Sequence, residues 1–246
     1  MNYPNISTIR YMGNKNKLLD YIIPEIEQIT NPGDMICDLM AGTNSVGYAL
    51  KKRNIIISND IQYYSFVIAK CLLSNYKIPT ISEVHADIDY NYNLNLTEKK
   101  FNFFEHNYVD TYFSLQQCID IDSLRYAIEN INSEKKYLYL VLLMNAMCKA
   151  QSSPGHFAQY MDKNHNRLKK IRQLSIYDLF YAKIDEFKKF EISCYDNECF
   201  NLDYNVLLEQ DELMKKIEEY KESLANDERV LGIIKEELQK VIEKYI

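Results

Sequence analysis

The 246-residue sequence predicts an α/β fold: a partial parallel sheet, a mostly helical insert and a C-terminal helical arm. Three observations predict it. A short apolar run, Met35-Ile36-Cys37, leads through a small-residue turn into a helical pattern over 46–50. A second run, Ile55-Ile56-Ile57-Ser58, follows closely and has strand character. From residue 210 onward strand signals stop and apolar residues recur at helical spacing among charges.

Taken in order, residues 18–29 read as a helix, and 35–75 as strand, turn, helix, strand, helix. The stretch 90–107 is polar, Asn-rich and aromatic, which predicts a loop region. From Ser114 the pattern turns helical, with Ile119, Leu124, Ile128 and Ile131 on one face. Residues 137–147 are apolar nearly all round, as a buried helix is. Ser152-Ser153-Pro154-Gly155-His156-Phe157 ends it. A helix over about 175–188 leads to a strand at 190–193 and to Phe200-Asn201-Leu202-Asp203. In the arm, Leu213, Ile217, Tyr220, Leu224, Leu231, Ile234, Leu238, Val241 and Tyr245 form a heptad seam, with Asp227 at its polar position.

The turn after the first strand, Asp38-Leu39-Met40-Ala41-Gly42-Thr43-Asn44-Ser45-Val46-Gly47, is the segment with the clearest chemistry. Ala41, Gly42 and Thr43 put little bulk between backbone and ligand. Asn44 stands where a dinucleotide fold would carry a glycine. Asp60 ends the next strand, where an acidic residue holds a ribose hydroxyl pair in nucleotide-binding folds. Turn and carboxylate together point to a nucleoside-type cofactor, with a nicotinamide or nucleotide open as alternatives.

The net charge of -6 gives no overall attraction to nucleic acid. A DNA partner needs a local basic face, and Lys163, Arg167, Lys169, Lys170 and Arg172 form the one clear cluster. The 6 cysteines are scattered, with no Cys-x-x-Cys, and read as reduced thiols in a cytoplasmic protein. No metal site is expected. No signal segment is apparent at the N-terminus and no run nears 18 apolar residues, so no membrane association is expected.

Arg10-Tyr11-Met12-Gly13-Asn14-Lys15, the 38–47 turn and Asn59-Asp60-Ile61-Gln62-Tyr63-Tyr64-Ser65 resemble the opening motifs of adenine-specific DNA methyltransferases of the Dam-like (D12) class. Thr111-Tyr112-Phe113-Ser114, the segment 153–160 and Phe200-Asn201-Leu202-Asp203 resemble later segments of the same enzymes, in the same order. The resemblance covers about 6–209. It implies a Rossmann-like sheet, S-adenosylmethionine as cofactor and double-stranded DNA as substrate. It places Tyr11 and Lys15 beside the cofactor, and Asp38 and Gly42 around its methionine part. Asp60 would take the ribose hydroxyls and Asp203 the adenine amino group. Ionised carboxylates are acceptors only, and these partners are donors. The competing reading for Asp60 and Asp203 is a helix N-cap, and for Lys15 a solvated lysine. The resemblance makes 1–209 a partial methyltransferase domain and 90–184 its target-recognition insert, with Tyr112, Phe113, His156 and Phe157 as candidates to stack on bases. Core packing competes for Phe113 and Phe157.

The family's Asp-Pro-Pro-Tyr motif, which holds the target amino group, is absent from the sequence: none of the 5 prolines follows Asp and no two are adjacent. No catalytic residue is therefore assigned. About 213–246 resembles the coiled-coil arm of the gyrase A subunit instead. The resulting expectations are an inactive or incomplete enzyme, a first strand with an open edge, and a complementing polypeptide or coiled-coil partner. A non-catalytic DNA-binding or assembly module is the alternative.

Overall fold

The computed structural model describes residues 9, 15–153, 166–188, 193, 195–209 and 215. Its helices are α1 (Leu19–Ile29), α2 (Ser45–Leu50), α3 (Tyr63–Leu73), α4 (Ile81–Glu98), α5 (Phe103–Asn107), α6 (Leu115–Glu129), α7 (Lys135–Ala150), α8 (Asn166–Ile171), α9 (Ile176–Ala182), α10 (Ile184–Phe187) and α11 (Tyr204–Leu208). The strands are β1 (Met35–Asp38), β2 (Ile55–Asn59) and β3 (Glu198–Phe200). They form a 3-stranded parallel sheet in the order β1-β2-β3. Parallel pairing requires a crossover between successive strands. The first crossover is the short α2, and the second runs from α3 through α10.

α2 lies tightly on β2, because a Cβ at Gly47 would sit 3.1 Å from Ile56 Cγ2. α3 packs on α7, and α6 contacts α4, α5, α7 and α9. One continuous core joins sheet and helices: Ile56, Val67, Leu72, Leu124, Leu142 and Phe180 all belong to it. Among the described residues the opposite sheet face holds a small cluster, Ile57 and Leu207 with Met35, Leu39, Phe200 and Leu202.

The expected helix at 18–29, the strands at 35–37 and 55–58 and the buried helix at 137–147 are all present. The 90–107 region is a correction: α4 continues to Glu98 and α5 begins at Phe103. Tertiary contacts override the weak intrinsic helix preference of this Asn-rich stretch. Buried Asn95 bonds Phe101 through both its donor and its acceptor and also donates to Ser123 Oγ. Asp89, one helical turn and a half earlier, accepts from the hydroxyls of Tyr177 and Tyr181, each at 2.9 Å, which staples α4 to α9. The helix expected over 175–188 is divided at Lys183 into α9 and α10. Of the strand expected at 190–193, only Ser193 is described, and it is not in a strand; the third strand is Glu198–Phe200. The heptad segment, with its likeness to the gyrase arm, lies outside the described residues apart from Lys215.

Candidate functional site

All three strands end at one cleft, the position at which open parallel sheets bind ligands. Beyond β1 the chain turns through Gly42, with φ +55°, and Asn44, with φ 58°. Both are left-handed, the region glycine favours and asparagine tolerates better than most residues. Asn44 therefore fills the expected glycine position, and its side chain adds bonds a glycine lacks. Its Nδ2 donates to Gly42 O at 3.3 Å and Ser65 O at 3.2 Å, and its Oδ1 accepts from Ser58 Oγ at 2.5 Å.

Asp60 follows β2. Its Oδ2 accepts from the Gly42 N–H at 2.8 Å and its Oδ1 from the Gln62 N–H at 2.9 Å. The carboxylate is thereby fixed by two backbone donors and keeps lone pairs for further donors. It does not cap α3, whose N-cap is Gln62. Asn201 Nδ2 reaches back to Asp60 O at 2.8 Å and ties the β3 loop to it.

Asp203 follows β3 and caps α11, accepting from the Asn205 N–H at 2.9 Å. The competing N-cap reading thus holds for Asp203, which remains exposed beside the cleft. On the other side Lys15 Nζ donates to Met40 O at 3.1 Å and lies 3.7 Å from Asp38 Oδ1. Lys15 is thus anchored to the turn, and is not a freely solvated lysine. Asp38 Oδ2 is buried with no hydrogen-bond partner, a costly arrangement unless a donor arrives.

A cavity of about 440 Å³ occupies this cleft, lined by Lys15, Gly42, Asn59, Asp60 and Asp203 and by the apolar Leu39, Met40, Ile61, Leu202 and Tyr204. That size falls within the roughly 300–1,000 Å³ usual for small-molecule sites. Four of the sequence-predicted residues, Lys15, Gly42, Asp60 and Asp203, meet here. Asp38 adjoins it through Lys15, and Tyr11 lies outside the described residues. Asn59 and the apolar rim were not singled out from the sequence. Met40 and Ile61, each 65% exposed, are large apolar side chains flanking strand-end polar residues, a signal that was there to be read.

Away from the cleft, Phe113 is buried in the core and Tyr112 is half-buried against it. Phe113 therefore packs the core and is not available to stack on a base. His156 and Phe157 lie outside the described residues. In the basic cluster Arg172 is bound to Asp110 at 3.0 Å, Arg167, Lys169 and Lys170 are exposed on α8, and Lys163 is not described. Cys37, Cys71, Cys118, Cys148 and Cys199 are reduced cysteines, not in disulfides. Partial desolvation by its neighbours pushes the surface-exposed Cys37 up to about 11, with the Asp38 charge adding to it, and burial raises Cys71, Cys118 and Cys199 to about 12. These four are protonated at neutral pH and poor nucleophiles.

Comparison with known proteins adds a family. The sequence profile of the D12 class of N6 adenine-specific DNA methyltransferases matches residues 11–228. The chain is 27% identical over 223 residues to the type II methyltransferase M.FokI of Planomicrobium okeanokoites, covering 82% of this chain and 32% of that protein. It is 28% identical over 218 residues to the modification methylase StsI of Streptococcus sanguinis, with the same coverage of 82% and 32%. It is 30% identical over 152 residues to the type II methyltransferase M2.HphI of Haemophilus parahaemolyticus, covering 61% of this chain and 42% of that one. The chain thus spans about a third of the length of the first two curated relatives. No solved structure matches it.

Proposed function

The chain belongs to the D12 class of N6 adenine-specific DNA methyltransferases, and from that premise we propose that its strand-end cleft binds S-adenosylmethionine for methylation of adenine in double-stranded DNA. Enzymes of this class depend on that cofactor, which supplies an electrophilic methyl group on a sulfonium. The observation that carries the proposal is the gathering of Lys15, Gly42, Asp60 and Asp203 around one cavity at the ends of parallel strands.

The donor and acceptor chemistry fits. The cofactor offers a ribose diol, an adenine amino group and an ammonium, all donors, and one carboxylate. Asp60, pre-aimed by Gly42 and Gln62, accepts from the diol. Asp203 accepts from the adenine amino group. The unpartnered Asp38 Oδ2 suits the ammonium, and Lys15 the carboxylate. Leu39, Met40, Ile61 and Leu202 supply apolar contact for the adenine ring and the methionine chain. Tyr11, in the matched segment, belongs to the same proposal.

Within this reading, 1–209 forms part of a methyltransferase domain, 90–184 faces the DNA, and 210–246 is a separate helical segment. The 246 residues contain no Asp-Pro-Pro-Tyr, so the groups that hold the target amino nitrogen come from a further polypeptide segment. The missing motif also keeps a second reading in play, a DNA-binding or assembly module that transfers nothing.

Two measurements test this. Calorimetry with S-adenosylmethionine should give binding that Asp60→Ala weakens at least about tenfold, the loss of a charge-assisted hydrogen-bond pair. Transfer of labelled methyl to AT-rich duplex should be undetectable with this chain alone. No heat of binding, even when the rest of a methyltransferase domain is supplied in trans, would overturn the cofactor assignment. Robust Asp60-dependent transfer by the chain alone would overturn the need for a further segment.

A further inference from the structure

Asn59 ends β2, the middle strand of the three, and its side chain is buried, with the residue 1% exposed. Its amide reaches both neighbouring loops. Nδ2 donates to Leu39 O at 3.2 Å on the β1 side and to Leu202 O at 3.0 Å on the β3 side. Oδ1 accepts from the Leu202 N–H at 3.1 Å. The backbone of Asn59 joins in, its carbonyl accepting from the Ala41 N–H at 2.9 Å. Leu39, Asn59 and Leu202 all line the cavity. One wall continues from Leu39 into Met40 and Gly42, and the other from Leu202 into Asp203 and Tyr204.

We infer that Asn59 is a positioning residue whose side-chain amide sets the separation of the two cleft walls, and so the span from Gly42 and Asp60 to Asp203. The role rests on the cofactor reading, since a cofactor that engages both walls is what makes their separation matter. The choice of residue follows from hydrogen-bond inventory. Two donors and one acceptor are needed at the end of a short planar side chain. Aspartate has no donor when ionised, leucine has neither group, serine is too short to span both loops, and glutamine is longer by a methylene. The three bonds also satisfy backbone groups of the half-buried Leu39 and Leu202.

Asn59→Ala and Asn59→Asp separate positioning from general destabilisation. In Asn59→Asp the ionised carboxylate confronts the carbonyl oxygens of Leu39 and Leu202 and repels both walls. Once protonated it donates to one of them. Its deficit in S-adenosylmethionine affinity relative to the unaltered chain should therefore be at least about tenfold near pH 8 and narrow toward about pH 6, because burial among carbonyls raises a carboxyl pKa. Acidic groups common to both proteins cancel in that ratio. Asn59→Ala should bind at least about tenfold more weakly at all pH values, and the Leu202 amide should exchange with solvent at least about tenfold faster without ligand.

Binding is measured below the melting temperature of every variant, so a merely structural role would leave the pH-dependent ratio flat. A flat ratio, affinities within about twofold of the unaltered chain, or unchanged Leu202 exchange each overturns the inference. If the unaltered chain, with the rest of a methyltransferase domain supplied, binds no S-adenosylmethionine while Leu202 exchange still rises in Asn59→Ala, the cofactor reading has failed and the positioning role falls with it. If the unaltered chain binds and the variants match it, the inference alone has failed.

Discussion

Asn44 shows how a residue that breaks a motif can satisfy its physics. The turn needs a left-handed backbone at this position, with φ 58°, and asparagine accepts it while bonding Ser58, Gly42 and Ser65. Replacing it by glycine keeps the backbone, strands the buried Ser58 hydroxyl and removes the extra donor to the Ser65 carbonyl, which keeps its bond within α3. Asn44→Gly should therefore cost about 2 kcal/mol, within the roughly 1–3 kcal/mol for an orphaned buried group. Asn44→Ala should cost about 1 kcal/mol more, because alanine also resists the left-handed region. Urea denaturation measures both, and equal stability of Asn44→Gly and the parent would refute the account. The cleft carboxylates were legible because each ends or closely follows a strand next to recognisable motif residues. The work of Asn59 was not, since its partners at 39 and 202 are distant in sequence and only the folded sheet brings them together.

At the scale of elements, sequence periodicity found helices such as α1, α6 and α7 and missed α4, whose Asn and Tyr residues mimic a loop. What the sequence did offer there was a start signal, Thr80 followed three residues later by Glu83, and the structure shows a complete capping box. The backbone N–H of Thr80, then its hydroxyl, hold the Glu83 carboxyl below the usual glutamate range. A lowered folded-state pKa contributes stability that is present above the unfolded value, about 4.3, and lost as pH falls through the folded one. Glu83→Gln should thus melt below the parent at neutral pH, and the gap should close as pH drops below about 4. A gap that stays constant or widens on acidification would show that the charged cap contributes nothing. The second capping box, Ser114 with Gln117 at the start of α6, has no titrating member. Ser114→Ala should cost about 1 kcal/mol with no acid dependence of its own, and a pH-dependent loss would contradict that reading.

For the whole molecule, the sheet order decides where further polypeptide can attach. Among the described residues β1 pairs only with β2, so the backbone groups along its other side meet no strand. Among the described residues the faces are unequal as well: one carries the large core, the other a small cluster around Ile57 and Leu207. Parallel sheets are ordinarily covered on both faces, and an unpaired strand invites pairing. Cys37 sits at this margin, exposed and in register with Ile57 on the thinly covered face. Truncation at residue 209 separates two causes of association. If the heptad seam drives it, removing 210–246 lowers the mass in solution; if the β1 margin drives it, the truncated chain still associates. The margin is the expected driver. Its apolar strand has half-buried neighbours and unpaired backbone, whereas helical seams pair only with a matching register. In sedimentation velocity the 246-residue chain and its 1–209 truncation should both self-associate. Cys37→Lys should shift both toward monomer, since a lysine on an edge strand opposes strand addition at little cost to an exposed position. A monodisperse monomer of the unaltered chain that melts cooperatively would mean that the margin of β1 is already protected, and the search for a complementing segment would then have to move to the thin face alone.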